Sequence, residues 1–326
     1  MGKSGFRRSY ARMKRYVLLL VPVAAGLMAA YLPAPLLPAP ADSIVSRLEI
    51  YDLKTSSRRV VRQDSVRFEA PNWTRDGQYL IINERGRLYR VAVRDGQKTL
   101  INTGTAVACN NDHGLTPNGQ TIIISNNTDG TGRDYRTSNV FTLPLGGGEP
   151  KRITERGPSY WHGVSPDGKT LAFVGERPVG PDGKADFDIY TIPITGGTET
   201  RLTQSPGLDD GPDYSPDGRS IYFNSYRTGR MQLWRMRPDG SQPEQLTSDA
   251  YSNWFPHPSP DGRWVLFISY LADQKAAHPA DKAVMLRLMN TKTGQLRELT
   301  RLRGGQGTIN VPNWSPDSRA FAFVSY

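Results

Sequence analysis

Ser165-Pro166-Asp167-Gly168-Lys169-Thr170-Leu171-Ala172-Phe173-Val174 reads as a tight turn running straight into a β-strand. The serine hydroxyl can bond nearby backbone, proline presets the next φ, aspartate tolerates the bridge region, and glycine accepts a positive φ. The aliphatic and aromatic residues that follow suit a pleated, half-buried surface. The phrase returns as Trp73-Thr74-Arg75-Asp76-Gly77, Thr116-Pro117-Asn118-Gly119, Ser215-Pro216-Asp217-Gly218, Ser259-Pro260-Asp261-Gly262 and Ser315-Pro316-Asp317-Ser318. Its Asp or Asn positions lie 42, 49, 50, 44 and 56 residues apart, a period that belongs to radial or stacked repeats.

Each copy continues alike. A third strand follows, as in Leu88-Tyr89-Arg90-Val91 or Ile189-Tyr190-Thr191-Ile192, then a Gly-containing turn, then a short edge strand ending in Ile153-Thr154, Leu202-Thr203, Leu246-Thr247 or Leu299-Thr300. Four antiparallel strands per repeat make the blade of a β-propeller, so the expected fold class is all-β. The last copy supplies only the pair flanking its turn, around Pro312-Asn313-Trp314 and Phe321-Ala322-Phe323-Val324. The missing pair stands at the other end, where Arg47-Leu48-Glu49-Ile50-Tyr51-Asp52-Leu53 and Arg58-Arg59-Val60-Val61 read as strands with no turn phrase before them. A six-bladed ring is therefore expected over residues 42–326, its last blade closed by N- and C-terminal strands that protect each other's edges.

This repeat resembles that of the TolB family of β-propellers, also described as WD40-like, over essentially everything from Ser46 to Tyr326. The resemblance implies the propeller fold; the periplasmic or otherwise extracytoplasmic setting expected here comes instead from the N-terminal residues. The resemblance says less about activity, because the same repeat is found in peptidases, saccharide lyases and interaction proteins. The TolB of the Tol–Pal system carries an α/β domain ahead of its propeller, and the roughly forty residues ahead of the first strand here are too few for one.

Those residues have their own pattern. Lys3, Arg7, Arg8, Arg12, Lys14 and Arg15 precede an apolar run from Tyr16 to Leu32, and a Pro/Ala-rich stretch follows to Ala41. Residues 1–41 read as an export signal or an uncleaved anchor plus linker, and such an anchor would be the protein's one tie to a membrane. The net charge of +10 owes much to this segment, for residues 1–41 hold six Lys or Arg and no acid. From Asp42 onward 35 Lys and Arg stand against 31 acids, so the charge gives no reason to expect nucleic acid as a partner. Cys109 is the single cysteine, which excludes an intrachain disulfide. A monomer is expected.

In a propeller the strand before each turn phrase is innermost, and its beginning lines the central channel. Of four histidines, His113, His162 and His257 fall within three residues before a turn phrase, and His278 lies in a long insertion of the fifth blade. Around them stand Asn111, Asp112, Trp161, Asp210, Asp213, Trp254 and Asn310, a set suited to a saccharide or a metal site. His113, His162 and His257 are candidate ligands for a divalent metal such as Mn, Ca or Zn. Strand alternation separates them, because His257 stands two residues before its turn and the other two stand three before theirs; only a bulge would unite them. A histidine at a strand start can equally bond a neighbouring blade's backbone.

The sequence contains no Gly-x-Ser-x-Gly nucleophile elbow and no phosphate-cradling loop ahead of a helix. Two function classes remain. One is an exported module that binds a saccharide, peptide or partner protein at its channel mouth. The other is a metal-assisted saccharide or uronate lyase or hydrolase, similar in outline to the oligogalacturonate lyases, with the three histidines as metal ligands.

Overall fold

The computed structural model describes residues 44–179 and 184–326. The proposed export segment lies outside the described residues. Five four-stranded antiparallel sheets follow one another along the chain, over residues 69–100, 109–152, 159–201, 209–245 and 252–304, and form blades 1 to 5. The sixth sheet joins Ser46–Asp52 to Ser57–Asp64 on one side and to Ala320–Ser325 on the other. Arg47 pairs with Ser325 and Asp52 with Ala320, so the two ends of the propeller close one blade.

The turn phrase works through its side chains. In all six copies the Ser or Thr hydroxyl donates to the Asp or Asn two residues on, at 2.6–2.7 Å, and accepts the backbone N–H five residues on, at 2.9–3.1 Å. Five copies place glycine next, in the left-handed region. The sixth places Ser318 there at φ 61, and its hydroxyl accepts the Asp261 N–H of blade 5 at 3.0 Å. The edge threonines also have a task. Thr154, Thr203 and Thr247 accept the N–H of Val140, Ile189 and Leu233 at 2.9–3.0 Å, replacing a backbone partner where the edge strand is only two residues long.

The innermost segment of the closing blade departs from the expected strand. Trp314 forms a single bridge to Phe321. Pro312 cannot donate to a ladder, and beside it the Asn313 side-chain amide donates to Ala322 O at 2.6 Å while Ala322 N–H donates back to Asn313 O at 2.9 Å. Blades pack on one another through large apolar side chains such as Trp161, Trp254, Phe255 and Phe321, all fully buried. Gly114 is required at one such contact, since a Cβ there would stand 2.2 Å from the Trp161 ring.

Candidate functional site

Every innermost strand of blades 1 to 5 carries a register shift, at Glu69/Asn72, Cys109/His113, Trp161/Gly163, Asp210/Asp213 and Trp254/His257. The bulges are held by the neighbouring blade. Trp161 N–H donates to Ser125 Oγ at 2.8 Å, Phe255 N–H to Asn224 Oδ1 at 3.0 Å, and Ala70 N–H to Gly307 O at 2.7 Å. Such bulges re-aim the side chains on either side of them.

The bulges do not unite the three histidines. His113 is fully buried between blades with Nε2 3.2 Å from Ile81 O, and burial pushes its imidazole down to about 4. His257 is fully buried as well, with Nδ1 3.1 Å from Asp213 Oδ2 and Nε2 2.7 Å from Ile309 O. His162 alone of the three reaches the larger mouth. Among the described residues no three His, Cys, Asp or Glu side chains come together to hold a metal ion, so these imidazoles do not fit the shared metal set expected from the sequence.

A cavity of about 570 Å³ opens where the innermost strands begin. Five of the candidates named from the sequence, Asn111, Asp112, His162, Asp210 and Asn310, line it. Trp161 and Trp254 do not: both are core side chains, and Trp254 backs the site by packing on His278 with ring centroids 4.6 Å apart. Asp213 lies toward the opposite, smaller opening of about 250 Å³. Tyr135, Tyr160, Phe187, Phe255, His278 and Gln306 also line the larger cavity, and of these only His278, in the blade 5 insertion, was marked in the sequence, as a residue that could close over this face. The usable signal was the length of the second-to-third-strand connections in blades 2 and 5, residues 128–137 and 271–281, which bring Tyr135, Ala276 and His278 over this end.

His162 is the electrostatic centre. Its Nε2 lies 3.2 Å from Asp210 Oδ1 and its Nδ1 3.2 Å from Asn310 O, so both ring nitrogens face acceptors and both must carry protons to bond them. Burial opposes that charge, but Asp112 and Asp210 outweigh it and push the imidazole up to about 9. Asp210, despite burial, is held below the usual carboxylate range by His162 and His278 and by the Gly211 N–H at 2.7 Å. Burial pushes Asp112 up to about 7, opposed by His162 and reinforced by Asp210. Asn110 orients Asp112, donating from Nδ2 to Oδ2 at 2.8 Å. His278 bonds Gln306 through Nδ1, places Nε2 3.6 Å from Asp210 Oδ2, and is held low by burial. The arrangement offers a fixed cation, a fixed anion and a carboxyl that exchanges its proton near neutrality, between aromatic walls.

The family model for the TolB beta propeller domain matches residues 165–301. Atu1656 of Agrobacterium fabrum, itself of uncharacterised function, is 48% identical over 288 residues, covering 88% of this chain and 94% of its own. A solved structure of a TolB candidate from Agrobacterium tumefaciens superposes with a TM-score of 0.80 at 48% identity, over 86% of this chain and 98% of that one. The crystal structure of TolB from Acinetobacter baumannii, 17% identical, shares the fold with a TM-score of 0.60 over 80% of this chain and 64% of its own. Among the described residues no helix is long and apolar enough to cross a membrane.

Proposed function

Because this chain belongs to the TolB-like β-propeller family, a scaffold on which the site rather than the fold decides function, we propose that it is an exported binding protein whose larger channel mouth takes a saccharide. One observation carries the reading: the 570 Å³ cavity sets Tyr135, Tyr160 and Phe187 against Asp112, His162, Asp210 and Asn310. A sugar ring has apolar C–H faces and a rim of hydroxyls, and it needs aromatic surface and convergent hydrogen-bonding groups together. Export is supported by the basic stretch and the apolar run of residues 16–32, and it makes the periplasm the place of action.

The test is a glycan array probed with the purified protein, followed by calorimetric titration of the hits. Asp210→Asn and Tyr160→Ala are expected to weaken binding at least tenfold. An array without hits, set against binding of a peptide library, transfers the mouth to a peptide or partner protein. Fractionation of expressing cells tests export, with recovery in the cytoplasm as the contrary outcome. Asp112 favours a second, catalytic reading, because a carboxyl near 7 both donates and accepts protons at working pH. Incubating the hits with the protein, with and without manganese or calcium, then reveals turnover that Asp112→Asn abolishes.

A further inference from the structure

Beside the larger mouth lies a second cleft of about 350 Å³, and the two share Asn110, Asn111 and Gln306 along their common edge. Its character is opposite. The mouth holds Asp112 and Asp210 with the imidazoles of His162 and His278, whereas the cleft is lined by Arg67 and Arg85 with Glu69 as the one acid in its lining.

Arg67 is held in a fixed pose. Its guanidinium lies 4.0 Å over the Tyr326 ring, Nε donates to Glu69 Oε1 at 2.8 Å, and Nη2 reaches Gln306 O at 3.4 Å. A stacked, pre-oriented guanidinium loses little freedom when it binds an oxyanion, which it can take through two parallel N–H bonds.

Arg85 occupies a position that arginine fills at a cost. It stands at φ 51 before Gly86 at φ 78, the two-residue hairpin tip of blade 1, where Asn, Asp or Gly is the usual first residue. Its side chain is exposed and, among the described residues, pairs with no carboxylate. The tip is tied to the site: Asn83 accepts the Gly86 N–H at 3.1 Å and donates to Cys109 O at 3.0 Å and Asn110 O at 2.6 Å. A residue held at positive φ on a cleft edge, exposed and without a carboxylate partner among the described residues, is open to a ligand.

We propose that the ligand of the larger mouth carries an acid group, a carboxylate or a phosphate, and that Arg67 and Arg85 hold that group in the adjoining cleft. The substrate class is thus an acidic saccharide, which rests on the saccharide reading above. The charge contrast also sets orientation. In the mouth the one fixed cation, His162, is already bonded to Asp210 with Asp112 beside it, while in the cleft an acid group meets two guanidinium groups, so the ligand lies with its acidic end toward blade 1.

The experiment follows the arginine Nε–Hε resonances of the ¹⁵N-labelled protein during titration with D-glucuronate, D-glucose and inorganic phosphate. Glucuronate and phosphate are expected to shift the signals of Arg67 and Arg85, and glucose to leave them in place. Arg85→Gln should weaken glucuronate binding at least fivefold without changing binding of glucose. If neither anion moves either arginine, the acid-group assignment is overturned, whatever neutral sugars do in the mouth. If the anions shift both signals while no glycan on the array binds, the anion site stands and the saccharide reading fails.

Discussion

Asp112 and His162 hold protons that their ordinary chemistry would release, and that makes the mouth sensitive to pH. His162 titrates near 9 in the folded protein against an ordinary 6.5. Between those values the folded chain binds a proton that the unfolded chain has lost, so this contribution to stability is complete below pH 6.5 and gone above about 9. Asp112, raised from 3.8 to about 7, acts with the same sign over a lower window: its contribution is complete below 3.8 and gone above about 7. Urea denaturation from pH 6.5 to 9 should show stability falling, with the fall flattened in His162→Gln. The His162 Hε1 proton resonance should titrate above pH 8 in the native protein, and in Asp210→Asn its midpoint should drop by at least one pH unit. A wild-type midpoint near 6.5 would contradict the proposed ring of acids around that imidazole.

At the level of turns and strands, the repeat is a hydrogen-bonded device as much as a hydrophobic pattern. Ser215 Oγ both donates to Asp217 at 2.6 Å and accepts from Ser220 N–H at 2.9 Å. Ser215→Ala removes both bonds and should cost about 1–2 kcal/mol, read as a lower denaturation midpoint with an unchanged slope. Where blades meet, shape decides. Gly114→Ala drives a methyl group into the Trp161 ring, and overpacking of a filled interface costs about 1–3 kcal/mol. Wild-type stability in that variant would mean that the blade 2 to blade 3 contact is looser than described. The strand periods were readable from the sequence because alternation and turn chemistry are local. The bulges were not, because their N–H groups are satisfied by Ser125, Asn224 and Gly307, which belong to other blades or to the closing segment.

The whole ring is latched at one place. Glu49, on the N-terminal strand, receives Arg58 Nη2 at 2.5 Å, Arg58 Nε at 2.9 Å and Ser325 Oγ at 2.6 Å, and so ties together all three strands of the closing sheet. Glu49→Ala should cost about 2–3 kcal/mol, the scale of lost charge-assisted bonds, and lower the temperature of a single unfolding transition. A variant beginning after residue 64 loses both N-terminal strands and leaves Ala320–Ser325 as an open edge. It should aggregate on purification, and a soluble, folded product would show that closure is dispensable. The sequence alone determined the all-β class, the six blades, the chemistry of the turns and the pairing of the two ends, since each follows from contacts made within a repeat or from counting repeats. Tertiary structure alone decided which channel residues share a mouth. It turned His113 into the core, sent His257 to Asp213, and brought His278, Tyr135 and Arg85 to the rim. The physical reason is that a bulge or a long connection is oriented by the blade beside it, which no spacing along the chain records.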